Sequence, residues 1–210
     1  MVERDDDAAG TQVTMGRDKT SETGAGAPMA TRLRWLWPLL RTLLLIAAPV
    51  IVLLVMARVY YRREGYSNTL GFADLGVFFA RHAGLEHLAV SDVGFDGQFS
   101  YYLARDPTLT ATCAHSAATC PLDAPVLRAE RILYPTLARV LALGHPALLP
   151  KALLAINLCA IVATALVIGV ICRDAGASRW LGVGAALFCG EVLAWLRDLA
   201  DPLSVLWLAV

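Results

Sequence analysis

Asp96 stands between two glycines in the run Gly94-Phe95-Asp96-Gly97-Gln98-Phe99. A glycine on each side of a carboxylate permits a tight turn that presents the side chain, and the flanking Phe95 and Phe99 can anchor such a turn on an apolar surface. Partly screened from water, a carboxylate there has a raised pKa and can accept a proton from a hydroxyl group. Asp-Gly is also a favoured turn dipeptide with no chemistry attached, and on these residues alone both readings stay open.

Arg128 and Arg131 are three residues apart, which on a helix puts both guanidinium groups on one face, the arrangement wanted for a phosphate clamp. The competing reading is a basic helix face that meets ordinary anionic lipid. Glu191 interrupts an otherwise apolar run; an ionisable group in such a run faces a cavity or partner, or snorkels from a near-end position. Asp198 and Asp201 follow that run and could line the same site as Asp96, although helix capping accounts for Asp201 as well. Cys113 and Cys120 enclose the small polar stretch AHSAAT and are a candidate disulfide. His115 between them does not complete a tetrahedral zinc set, so no metal site is assigned. His82, His87 and His145 are scattered without ligand spacing.

These groups need elements to hold them, and the composition points to a membrane. Of the 210 residues 57% are apolar, mean hydropathy is +0.57, and the apolar residues fall in runs. Thr42 to Ala57 is uncharged and extends N-terminally to Trp35 across Arg41; Ala152 to Cys172 is uncharged throughout. At about 1.5 Å per residue, runs of this length cover the roughly 30 Å hydrocarbon core of a bilayer. Trp180 to Leu196 is a third candidate span, and Leu203 to Val210 reads as the start of a fourth. Formal net charge is zero, which gives no reason to invoke nucleic acid. Residues 1–31, rich in Asp, Gly, Thr and Ala, read as a disordered tail rather than a cleaved signal.

The expected organisation is therefore an all-α membrane protein. It has a cytoplasmic tail over 1–31, a first transmembrane helix over 32–59, an extracytoplasmic loop over 60–150, and transmembrane helices two, three and the start of four over 151–210. Orientation follows from Arg173 and Arg179 in the short loop between the second and third spans, since short basic loops face the cytoplasm. The long loop carries its own helical patterns. Leu75, Phe78, Phe79 and His82 recur at helical spacing with Asp74 near the start. Leu133, Leu137, Val140 and Leu141 form an apolar stripe beside Arg128, Arg131 and Arg139, a basic amphipathic pattern suited to the headgroup layer. Pro135 breaks that helix or marks its start.

The run GFDGQFSYYLARDP, followed by LDAPVLRAERILYPTLARVLA and an apolar span, resembles bacterial multi-pass membrane proteins of cell-surface glycopolymer formation, which are similar to GT-C class glycosyltransferases. The resemblance covers about Tyr60 to Val210. It implies a cytoplasmic N-terminus, a large first outer loop with interfacial helices, and an acidic residue in that loop acting on a sugar carried by polyprenyl phosphate in the bacterial cytoplasmic membrane. By position Asp96 becomes the catalytic base, and Arg128 and Arg131 hold the donor phosphate; Gln98 and Asp201 join them as substrate-binding candidates. Val126 to Arg131 departs from the Tyr-Arg-Tyr-Gln-Arg of such proteins, and the loop lacks an Asp-x-Asp pair, so neither metal nor other cofactor is implied. The chain reads as the N-terminal portion of a longer enzyme whose partners are the lipid-linked donor, membrane lipid and further membrane helices. The alternative is a non-catalytic membrane scaffold or transporter fragment that binds lipid or a partner protein.

Overall fold

The computed structural model describes residues 29–66, 68–110, 113 and 120–210, with side chains from Leu36 onward. The expected tail before Met29 and the residues between Cys113 and Cys120, His115 among them, lie outside the described residues. The chain divides into two compact units, Met1–Pro38 and Leu39–Val210. In the first, the described residues form the beginning of a helix; the second holds every other element.

Among the described residues the fold is all-helical, with no strand and a single isolated bridge between Gly76 and Ser91. Helix α1 spans Met29–Glu64, α2 Val77–His82 and α3 Gly97–Arg105. Helix α4 spans Pro125–Ala129, α5 Leu133–Leu141 and α6 Leu149–Asp174. The chain continues as α7 Trp180–Ala186, α8 Cys189–Leu196 and α9 Asp201–Ala209.

Two segments, Leu36–Glu64 and Pro146–Asp174, are long and apolar enough to cross a membrane. Leu39, Leu43, Ile51, Leu54, Val55 and Val59 are exposed along α1, a surface that water disfavours and hydrocarbon accepts. The first runs past the expected end at Val59 and stops at Glu64, after Arg62 and Arg63, whose charge suits a helix C-terminus.

The third expected span is not one rod. Trp180 to Leu196 folds as α7 and α8, joined at Leu187 and Phe188, where Phe188 adopts an extended backbone with φ −56° and ψ 141°. Gly182, Gly184 and Gly190 weaken helix propensity on both sides of that joint. Gly182 has a packing reason as well: a methyl group there would strike the carbonyl oxygen of Ala165 in α6.

The stretch from Tyr60 to Pro150 has its own core, in which Leu75, Phe99, Tyr102, Leu103 and Tyr134 pack with Leu149 and Leu153 at the start of α6. A second cluster joins Leu53 and Phe72 to Ile161 of α6 and to Val192 and Trp195 of α8. The expected basic amphipathic helix is two pieces, α4 and α5, separated by a turn at Glu130 to Ile132. Pro135 sits in the first turn of α5, where the missing N–H costs nothing. The Leu75 to His82 pattern yields only α2; Leu75 precedes it and is fully buried, while Phe78 is exposed.

Candidate functional site around Asp96 and Arg128

Gly94 takes φ +80°, which L side chains rarely adopt, and reverses the chain ahead of Asp96. Asp96 is the last residue before α3, and Gly97 is already helical. Gly97 is needed for proximity rather than flexibility: a methyl group there would collide with the carbonyl oxygen of Arg197 in the turn between α8 and α9. Phe99, expected on the membrane surface, is buried with 4% of its area exposed. Phe95 keeps 39% exposure and lies under the Arg197 guanidinium, 5.0 Å from ring centre to the guanidinium carbon.

The Asp96 side chain is 52% exposed, and its Oδ1 accepts a hydrogen bond from Arg128 Nη2 at 3.0 Å. The expected screened carboxylate is thus an ion-paired, half-exposed one. Arg128 is the centre of the cluster. Its Nε donates to Asp123 Oδ1 at 2.9 Å and its Nη2 to Asp123 Oδ2 at 3.0 Å, a two-toothed pairing that a planar guanidinium makes well. It also lies 4.2 Å over the Phe99 ring. Hydrogen bonding to Arg128 holds the Asp123 carboxyl below its ordinary range. Asp123 caps its own approach to α4 by accepting the Ala124 N–H at 2.8 Å.

Arg131 lies in the turn after α4, more exposed than Arg128, with Nη1 3.9 Å from Asp201 Oδ1 at the start of α9. That distance is an ion pair without a hydrogen bond. Asp96, Arg128 and Arg131 border one recess, floored by Phe99, Leu103 and Pro135 and closed by Leu199 and Ala200 of the α8–α9 turn. Asp201, at the next position, reaches it through Arg131. Gln98 does not line this recess. It is 2% exposed, and its Oε1 accepts the Gly76 N–H at 3.1 Å, tying α3 to the start of α2.

Cys113 and Cys120 are joined by a disulfide. Among the described residues no group of three or more His, Cys, Asp or Glu side chains could hold a metal ion. Glu191, in the first turn of α8, is buried and lines a second cavity of about 580 Å³ with Thr164 of α6, Phe188 and Asp201.

Sequence reasoning missed three elements of this arrangement. Asp123, the stronger partner of Arg128, had only its place two residues before Pro125 to recommend it. Asp74 forms an ion pair with Arg197, 123 residues further on. Asp198, a candidate for lining the same site as Asp96, does not line the recess; it is fully buried, with its Oδ1 2.6 Å from the Tyr134 hydroxyl, and a lone Asn157 within the apolar run of α6 was the available sign of a buried polar partner. No family model, curated protein or solved structure matches the chain.

Proposed function

We propose that the chain is part of a membrane glycosyltransferase that moves a sugar from a polyprenyl-phosphate donor to a cell-envelope glycan. The supporting observation is the 3.0 Å contact of Asp96 with Arg128 on a recess that Arg131 also borders. A carboxylate paired with one guanidinium, with a second guanidinium on the same recess, is what a general base and a phosphate clamp require and so supports this reading. A donor phosphate meets the exposed Arg131 first, then competes with Asp96 for the Arg128 guanidinium and frees the carboxylate. Asp96 takes the proton of the acceptor hydroxyl as that oxygen bonds to the anomeric carbon. The bond from that carbon to the phosphate oxygen breaks, and polyprenyl phosphate leaves with the electron pair, its charge met by the two arginines. Phe99 beneath Arg128 and the Asp123 pairing keep the guanidinium in place through the cycle.

Transfer from a radiolabelled polyprenyl-phosphate sugar, measured in membranes carrying the full chain, tests this reading. Asp96→Asn should lower it by about 10²- to 10⁴-fold while donor binding persists. Undiminished transfer by that variant overturns the assignment.

The non-catalytic reading draws on the same contact: a carboxylate held by a guanidinium is a poor base, and Arg128 is committed to two carboxylates. A lipid-binding scaffold would bind the donor, lose it in the Arg128→Ala, Arg131→Ala double variant, and show no turnover.

A further inference from the structure

Among the described residues, a fully enclosed carboxyl group lies beside the recess rather than in it. Asp198 has none of its surface exposed, sits at φ +56°, and faces Tyr134 of α5 and Asn157 of α6, both fully buried. Three polar atoms surround the Tyr134 oxygen: Asp198 Oδ1 at 2.6 Å, Asn157 Nδ2 at 2.8 Å and the Leu153 carbonyl at 3.1 Å. Asn157 Nδ2 uses its second hydrogen on the Leu199 carbonyl, also at 2.8 Å.

One hydroxyl hydrogen cannot serve two acceptors. With an ionised Asp198, Tyr134 must donate to the carboxylate, its contact with Leu153 has no hydrogen, and a buried negative charge keeps a single hydrogen bond. With a proton on Asp198 Oδ1, the acid donates to the Tyr134 oxygen, Asn157 donates to its other lone pair, and Tyr134 donates to Leu153. All three contacts are then satisfied. Asp198 Oδ2, buried without a partner, is in that state a neutral carbonyl rather than half of an unpaired charge.

We infer that Asp198 is a positioning residue which, as a neutral carboxylic acid, latches the Arg197–Asp201 turn onto α5 and α6 and so builds the rear wall of the recess. What the latch positions is the catalytic site of the proposed transferase, and to that extent it rests on that reading. The turn supplies Leu199 and Ala200 to the recess and delivers Asp201 to Arg131. Burial pushes the Asp198 carboxyl up to about 8, against the hydrogen bond from Tyr134, so the acid form is favoured at neutral pH.

Among the described residues no cation is paired with the Asp198 carboxyl. In its own turn Arg197 is committed to Asp74, and Asp201 turns to Arg131. Glu191 of α8 faces the cavity it shares with Asp201. From α5 comes Tyr134 and from the same core Tyr102 of α3, both held neutral by burial; from α6 comes only the uncharged Asn157. The folded state therefore retains a proton that the open turn releases above about pH 4, and closure weakens with rising pH until Asp198 ionises in place near 8.

The test uses the full chain in phospholipid nanodiscs. Infrared difference spectra between pH 6 and pH 10 should show loss of a protonated-carboxyl band that is absent from Asp198→Asn. Amide exchange at residues 198–201, expressed relative to Asp198→Asn at the same pH, should rise about tenfold per unit between pH 4 and 8 and level off above. Sugar transfer should fall through about pH 8 in the parent chain and lose that limb in Asp198→Asn. A carboxylate already ionised at pH 6, seen in the parent alone, or a ratio of parent to Asp198→Asn exchange that stays flat between pH 4 and 8, overturns the latch. If band and exchange behave as expected but no sugar is transferred at any pH, the latch stands and the transferase reading falls.

Discussion

Asp74 and Arg197 form an ion pair between the turn that precedes α2 and the turn that follows α8, 123 residues apart. Their side chains keep only 10% and 24% exposure, and the Arg197 guanidinium also lies 5.5 Å over Tyr60 at the end of α1 and 5.0 Å over Phe95. Removing one partner strands the other charge in a half-dry site. Asp74→Ala or Arg197→Ala should each cost about 3 kcal/mol, and the double variant less than the sum of the two. Denaturant midpoints in detergent micelles measure this; additive losses would mean that the pair contributes no coupling.

Arg128 holds Asp123 and Asp96 at once, and lysine cannot reproduce that two-toothed geometry. Arg128→Lys should therefore impair donor binding nearly as much as Arg128→Ala. The Asp123 carboxyl, held low by Arg128, contributes stability above its unfolded pKa and loses it as pH falls through the lower folded value. In Arg128→Ala the Asp123 carboxyl should titrate in the ordinary range, which carbon-detected NMR of aspartate side chains can follow.

Two glycines should respond in opposite directions. Gly97→Ala drives a methyl group into the Arg197 carbonyl and should cost about 1–3 kcal/mol. Gly184 in α7 has nothing within 4 Å of an added methyl, so Gly184→Ala should stabilise the helix by about 0.5–1 kcal/mol. Thermal midpoints of both variants, read side by side, separate close approach from simple helix propensity.

The Cys113–Cys120 bond should appear as a mass shift on reduction and alkylation of protein extracted from its native membrane. Replacing both cysteines with serine should lower stability by about 2 kcal/mol. Free thiols at both positions in the native membrane would argue that this segment faces a reducing compartment.

The elements that were legible in the sequence are those with a long, uniform signal. The uncharged runs around Thr42 and Ala152 gave the two long apolar helices, because continuous hydrophobicity over that length has few other outcomes. The Leu133 to Leu141 stripe gave α5 for a different reason, the recurrence of apolar residues at helical spacing. The break at Phe188 was not legible: an apolar run does not record where its backbone turns, and three glycines lower helix propensity without saying which of them the packing will use. The site was half legible. Asp96, Arg128 and Arg131 do share one recess, but Arg128 is engaged by Asp123, which no periodicity marks, and Gln98 serves Gly76 rather than the recess. The burial of Asp198 was not legible, because an aspartate after an apolar run carries no mark of the side chains that enclose it. Only the tertiary fold reveals the tyrosine and asparagine that make a buried site tolerable.

Asn157 has a consequence for the order of assembly. It donates to Tyr134, which precedes it in the chain, and to Leu199, which lies 42 residues beyond it. During synthesis the helices built from Tyr60 to Leu141 reach α6 with one hydrogen of that amide still unmatched, and the Tyr134 oxygen lacks Asp198 until the α8–α9 turn has left the ribosome. The helical core of that stretch can gather early around its apolar side chains, but its last polar positions close only when a segment made much later swings in beside them. A ribosome stalled before Asp198 would therefore carry a collapsed but unlatched chain, open to chaperones and proteases at the recess that the finished protein keeps walled.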